Sequence, residues 1–541
     1  MTGLILFLAM LGGQAAATRV ANAPPTYRIR GVVVDATNGG PVGGAEVTIE
    51  ADGDVIRTTA NGDGGFLLDG LPQGKYPLSA KAQGYVAERY NEHGGFSTAI
   101  VVGEGLDSEH IVFRLHPAAL IYGRVTDENG EPVRQARVML FERSGNNENF
   151  LHGEVQTNDL GEYRFAHLAA GRYHAVAQAR PWYAESGFRY AQAERQQEAI
   201  GFSKISPKLD SALDVIYPIT FYPGVTDENA AGEITLVAGE KEEVNIPLRP
   251  TQAMHIRVTG LRKNEENRGF GIMATRRLFG SFDAFENTAV VQITPGEYEV
   301  SGLLPGTTTL TVRSGEGEEA TSEVIKTRLS DGDQVDGAEA GAIAKVTGKV
   351  IFPNGGGREA TVGLTNQQGE VVGTKLQKDG TFSFAAVQEG SYKVAVDEMN
   401  GGAAYVAKIV ATGAKVSGRE ITIEGTGDVG LSVAVGEGLG VVAGTAKLNG
   451  KAEGGAMILL VPESEVDVED EARMDQSDSD GTFTLASIMP GKYVLMAIED
   501  GWGLKWRDKE QLKPYREKGQ VLQIGANQKV DVSVEVQRKM K

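Results

Sequence analysis

Cysteine is absent from all 541 residues. Its absence excludes disulfide scaffolds, zinc–thiolate sites, thiol nucleophiles and thiol-linked lipid anchors. Histidine is scarce, with 7 residues, and none is followed by Glu at the third place; no His-Glu-x-x-His occurs either. The ligand pair of a zinc peptidase is therefore missing. His152-Gly153-Glu154 has the wrong spacing for one metal, and His167 and His174, which flank a turn, read as ordinary strand or loop residues. Basic residues are outnumbered, 53 against 72, for a net charge of −19. That balance argues against a nucleic-acid partner, which needs a basic stripe, and suits solubility.

Long apolar runs are lacking too. The longest, Leu4 to Leu11, falls short of the ~20 residues of a membrane span. It precedes Ala15-Ala16-Ala17, a small-residue cleavage pattern, although Met1-Thr2-Gly3 carries no Lys or Arg. The pattern is that of an export signal cut after Ala17. The mature chain is expected to have no transmembrane segment and to be exported, periplasmic or extracellular.

What the chain does have is glycine, 71 residues of it, and a repeated pattern. Gly-x-aromatic-x-apolar-x-x-apolar-x-x-Gly-x-Tyr begins at Gly64, Gly161, Gly380 and Gly481, and in weaker form at Gly296, where Thr308 replaces the tyrosine. In the first copy the fixed positions are Phe66, Leu68, Leu71, Gly74 and Tyr76. Apolar residues two apart share one face of a strand. The closing glycine supplies a reversal, helped by proline in Leu71-Pro72-Gln73-Gly74 and Met489-Pro490-Gly491. A second alternating strand follows, as in Tyr76, Leu78 and Ala80. Each copy thus predicts a β-hairpin with one face toward a core. A lone hairpin is unstable in water, so each needs partner strands. Upstream of the first two copies stands Pro-Val-x-x-Ala-x-Val-x-apolar (Pro41 to Ile49, Pro132 to Leu140), itself preceded by the Gly-led strands from Gly31 and Gly123. The copies recur at intervals on the order of 100 residues, the size of a small sandwich.

The run from Gly31 to Ile49, followed by Thr59 to Phe66 and Leu71 to Tyr76, resembles the carboxypeptidase regulatory-like domain. Gly123 to Leu140 with Asp159 to Tyr173 resembles it as well. The resemblance implies a transthyretin-like β-sandwich and an accessory, non-catalytic role, in multi-copy exported bacterial proteins; it implies no ligand. The expected fold is all-β, a tandem array of about five small immunoglobulin-like or transthyretin-like β-sandwich domains, each a separate bead. The expected divisions are 1–24 signal and leader, 25–117 first sandwich, 118–250 second sandwich with an aromatic-rich insert, 251–330 divergent third, 331–342 linker, 343–427 fourth and 428–541 fifth.

Candidate chemistry is sparse. Asp475, Asp478 and Asp480 form either a solvated acidic loop or a loop for a hard cation, with the helix-loop-helix calcium register failing at Gln476 and Ser487. Gly436 to Gly440 lacks a following Lys-Ser/Thr and reads as a turn. The binding candidates are aromatic. Trp182, Tyr183, Phe188, Tyr190 and Phe202 crowd the insert of the second unit, as a ligand platform or as cover for an open sheet face. Trp502 and Trp506 form a second group, as a platform or within a short helical cap over Trp502 to Lys518. No catalytic residue, metal or cofactor is expected. The reading is a non-catalytic exported protein that binds carbohydrate or an envelope or surface protein. An accessory subunit of a separately encoded envelope enzyme, or a structural stalk, is the alternative.

Overall fold

Residues 26–539 are described by the computed structural model, apart from 52, 145–147, 185–209, 211, 260–270, 287, 295–296, 305, 315–320, 330–332, 337–342, 354, 356–357, 367–370, 399–403, 426 and 465–470. The expected leader, Phe188, Tyr190 and Phe202 lie outside the described residues. Strands dominate, arranged as five sandwiches in chain order, so the all-β tandem architecture holds; in the fifth, Lys529–Gln537 also pairs with Gly491–Ile498 and joins the two layers.

One plan recurs five times. In the first sandwich, strand Tyr27–Asp35 is paired antiparallel with Gly65–Leu71 and parallel with the last strand, Ile111–Leu115. Ala119–Thr126 sits likewise between Glu162–Leu168 and the short strands Lys241–Glu243 and Ile246–Pro247. Met254–Thr259 sits between Glu297–Leu303 and Gln334–Asp336. Ile343–Ile351 sits between Thr381–Gln388 and Val429–Glu437, and Gly440–Leu448 between Thr482–Ile488 and Lys529–Gln537.

The repeated pattern is not a hairpin. Its first strand belongs to this sheet, whereas its second strand pairs within the facing sheet: Leu78–Lys81 with Glu46–Ala51, Gly171–Gln178 with Arg137–Arg143, Gly491–Ile498 with Met457–Pro462. The link between them arches across the core. Inward alternation on both strands is the same whether they lie side by side or face each other, so periodicity alone cannot separate the two.

The odd spacing inside the pattern has a local cause. Phe66 and Leu68 are two apart, but Leu68 and Leu71 are three apart, and all three are buried. The register shifts between Leu68 and Leu71, so a β-bulge takes up the extra residue. The same shift precedes Leu168, Leu303 and Ile488. The residue before the second apolar position is left-handed in these copies: Gly70, His167, Gly302 and Ser487. The closing tyrosine then clamps the arch. Tyr76 donates its hydroxyl to Pro72 O (2.9 Å), Tyr173 to Ala169 O (3.0 Å), Tyr392 to Gln388 O (3.0 Å) and Tyr493 to Met489 O (2.9 Å). Close approach explains the glycine of the first strand. A Cβ on Gly31 would lie 2.2 Å from Ile111 O, and one on Gly123 only 1.8 Å from Val244 O.

Two strands fall across the expected divisions. Val429–Glu437 lies beyond 427, yet its Val429, Leu431, Val433 and Val435 are buried in the fourth core. The preceding alternating strand, Glu420–Ile423, belongs to the other sheet. Gln334–Asp336, within the expected linker 331–342, closes the third sandwich.

The sandwiches are not separate beads. The second and third share an apolar cluster in which Met139, Phe141 and Phe221 pack with Leu278 and Ala284. Phe279 enters it edge-on to Phe141, with centroids 4.9 Å apart. His255 of the third sandwich bonds Asp214 (2.8 Å) of the second, and also Glu299 (3.3 Å). At the other end, Arg419 of the fourth reaches Glu471 of the fifth at 3.4 Å. The first and fifth sandwiches are also in direct contact, and that contact positions the candidate site.

Candidate functional site

The acidic loop at Asp475 to Asp480 is a docking element. Asp475 accepts from Gln476 N and Thr484 N, each at 2.8 Å, and burial pushes its carboxyl above the usual range. Asp480 accepts from Thr482 N (3.0 Å) and Thr482 Oγ1 (2.5 Å). Asp478 reaches the first sandwich, accepting from Ala99 N (3.1 Å) and pairing with Lys75 Nζ (2.6 Å). Donors of the loop itself or of the first sandwich thus occupy all three carboxylates. Among the described residues no group of three metal-ligating side chains exists.

The rest of the loop continues the contact. Ser479 donates its N–H to Ala99 O (3.0 Å) and accepts from Val101 N at its hydroxyl (2.8 Å). Gln476, 1% exposed, donates to Asn91 O (2.6 Å) and Thr98 Oγ1 (2.7 Å), with His93 Nδ1 at 3.2 Å from its Oε1. A buried network with its donors and acceptors matched is rigid and costly to break on one side.

Trp502 completes the contact. It lies on a short 3-10 turn, Gly501–Gly503, after strand Gly491–Ile498. Its ring stacks on His93, with centroids 5.4 Å apart and 8° between planes, and on Phe96 at 5.6 Å. It is therefore an interface anchor and not a free platform. The helical cap expected over Trp502 to Lys518 is present as helix Lys509–Arg516, capped by Asp508, whose side chain accepts from Glu510 N and Gln511 N. The helix buries Leu512 and Tyr515 in a cluster against which Trp506 packs. The Arg507 guanidinium stands 4.9 Å from the centroid of the Trp506 indole.

Between these elements opens a cleft of about 620 Å³ to which four sandwiches contribute. Phe96 comes from the first, Asn149 and Phe150 from the second, Phe279 from the third, and Trp502 and Trp506 from the fifth. The volume lies within the ~300–1,000 Å³ of small-molecule sites, and the mixture of rings with a few polar groups is typical of them. Asn149 Oδ1 is buried without a hydrogen-bond partner. Phe96, Asn149, Phe150 and Phe279 were not singled out from sequence. Phe279 alone carries a local signal, a left-handed φ of 49° beside Gly280, and that is read only from the backbone.

Trp182 and Tyr183 stand elsewhere. Trp182 is 88% exposed and meets Tyr183 edge-on at 5.7 Å. Tyr183 and Tyr217 both donate to Glu128, at 2.5 and 2.9 Å. Burial, with the Glu128 carboxylate, pushes the Tyr183 phenol up to about 12. Tyr183 is thereby held in place, while Trp182 remains open to solvent. His167 and His174 diverge: His167 is exposed, whereas His174 is buried, stacked on Phe279 at 5.1 Å, and held below the usual imidazole range by that burial. Among the described residues no helix is long and apolar enough to cross a membrane.

Comparison with known proteins agrees with the first two sandwiches. Residues 28–115 and 121–198 each match the model of the carboxypeptidase regulatory-like domain. A search of the curated proteins finds no match. Solved structures that resemble the chain include the Bacillus anthracis TIE protein (12% identity, 95% of this chain and 69% of that one, TM-score 0.16). The full-length major pilin RrgB of Streptococcus pneumoniae shows 10% identity over 78% and 100% of the two chains, TM-score 0.12. Two B repeat units of the Staphylococcus aureus collagen binding protein show 10% identity over 76% and 100%, TM-score 0.12. At such scores these likenesses carry no argument about function.

Proposed function

We propose that this chain, with two matches to the carboxypeptidase regulatory-like domain at its head, is an exported, non-catalytic binding protein whose ligand is a carbohydrate. The observation that carries the reading is the cleft: rings from four sandwiches converge on one space of about 620 Å³. Planar rings stack on the apolar faces of sugars, and short polar side chains answer their hydroxyls. The apolar run Leu4 to Leu11 followed by Ala15-Ala16-Ala17 supports export.

A glycan array probed with the full chain tests the reading. Binding that survives Trp182→Ala but disappears on Trp506→Ala supports the cleft. Binding lost only with Trp182→Ala moves the site to the second sandwich, and an array without signal removes the carbohydrate reading. The open Trp182 ring supports a second reading, contact with an envelope or surface protein through the second sandwich. Capture of such a protein from native envelope by the wild type, and not by Trp182→Ala, would favour it.

A further inference from the structure

We propose that the ligand of the cleft is a sugar bearing an aromatic substituent, with the substituent seated among the rings and the sugar held at the rim. The inference rests on the carbohydrate reading and adds the chemistry of the ligand's buried part to it.

The polar lining is largely engaged. Ser144, Glu148 and Arg507 all have partners within the protein, and Asn149 Oδ1 is buried out of a ligand's reach. Most of the rings are engaged too. Trp502 stacks on His93 and Phe96, and Phe279 stacks on His174 and meets Phe141 edge-on. The Arg507 guanidinium stands over the Trp506 indole. Rings packed in this way offer edges and flanks more than free faces. A sugar needs an open face, whereas a planar aromatic group takes edge-to-face contacts as readily as offset ones. The most open of the lining rings is Phe150, 45% exposed on strand Asn149–Gln156 of the second sandwich. Met474 lines the cleft from the fifth sandwich, and a thioether sulfur adds a favourable contact for an aromatic ring. The rim differs. Ser281 and Lys505 line it with exposed side chains, a hydroxyl and an ammonium that suit sugar hydroxyls. A plain sugar leaves the apolar lining facing water, and a purely aromatic compound leaves the rim unused. An aryl-substituted sugar meets both.

Calorimetric titration of the full chain with the phenyl and methyl β-glycosides of glucose, galactose and xylose tests this, each pair differing only in the buried group. For a sugar that binds, the phenyl glycoside should be about tenfold tighter or more, from the apolar area its ring buries. Its heat-capacity change should be the more negative, and the preference should persist in about 0.5 M salt. Phe150→Ala, at an exposed position, should cost the phenyl glycoside more than the methyl one and bring the two affinities together. Phe150→Leu, apolar but without a ring, should fall between. Equal affinities in the wild type overturn the inference and leave the carbohydrate reading standing. A phenyl preference untouched by Phe150→Ala overturns it by placing the substituent elsewhere. Free phenol binding as tightly as the phenyl glycosides, or no binding of any glycoside, overturns the carbohydrate reading and the inference with it.

Discussion

Lys75 and Asp478 are 403 residues apart in the chain and 2.6 Å apart in space. They join the closing turn of the first repeated pattern to the loop that opens the last one. Lys75 is nearly half exposed, so the ion pair itself contributes little, of order 1 kcal/mol or less. The matched network around Gln476 and the Trp502 stack carry more of the contact.

Gln476→Ala should therefore weaken the contact between the first and fifth sandwiches more than Asp478→Asn does. The truncation leaves Thr98 and the Asn91 carbonyl buried beside a void, at a cost of about 1–3 kcal/mol. Hydrogen exchange at the Val101 and Ser479 amides reads this directly: faster in Gln476→Ala, nearly unchanged in Asp478→Asn.

The tyrosine clamp should be separable from the tyrosine ring. Tyr493→Phe keeps the buried ring and removes only the hydroxyl that donates to Met489 O, leaving that carbonyl without its donor. The expected loss is about 1–2 kcal/mol, read as a lower denaturation midpoint of the fifth sandwich. A similar loss is expected for Tyr173→Phe in the second.

Gly123→Ala tests the parallel closing strand. The added methyl would meet Val244 O at 1.8 Å, a backbone atom that cannot rotate away. The strands must separate, with a penalty of about 1–3 kcal/mol or more. Gly130→Ala is a poor control because its backbone is left-handed; Gly153→Ala, where the new methyl meets nothing within 4 Å, should cost far less.

The junction of the second and third sandwiches should depend on pH through His255. Burial pulls its imidazole down, but the Glu299 and Asp214 carboxylates outweigh burial and hold its pKa above the usual value. A raised folded-state pKa stabilises fully below the unfolded value of about 6.5 and ceases to do so as pH rises through the folded pKa. Stability of this junction should thus fall on going from mildly acidic to alkaline pH, and His255→Gln should flatten that slope. Thermal melts across pH 5 to 9, on the order of the range where histidine titrates, check it.

Much of the fold was legible in the sequence. Phe66, Leu68, Leu71 and Tyr76 mark strands that do form, and the repeat spacing counts the sandwiches. The pairing of those strands was not legible, because Leu68 and Leu78 alternate inward whether their strands are neighbours or face each other. The bulge hid in the three-residue step from Leu68 to Leu71. The site was barely legible. Trp502 and Trp506 stand out by type, but Phe96, Phe150 and Phe279 sit in unrelated segments and acquire meaning only when the chain folds back. That return depends on Gln476, Asp478 and Ser479, whose sequence reads as an ordinary polar turn.

Zero-length carbodiimide coupling of the dilute full chain, followed by peptide mass analysis, tests the return most directly. The account predicts an intramolecular amide between Lys75 and Asp478, alongside one between Lys415 and Glu424, a local pair 2.5 Å apart within the fourth sandwich. Coupling of the local pair with no trace of the Lys75–Asp478 link would contradict it.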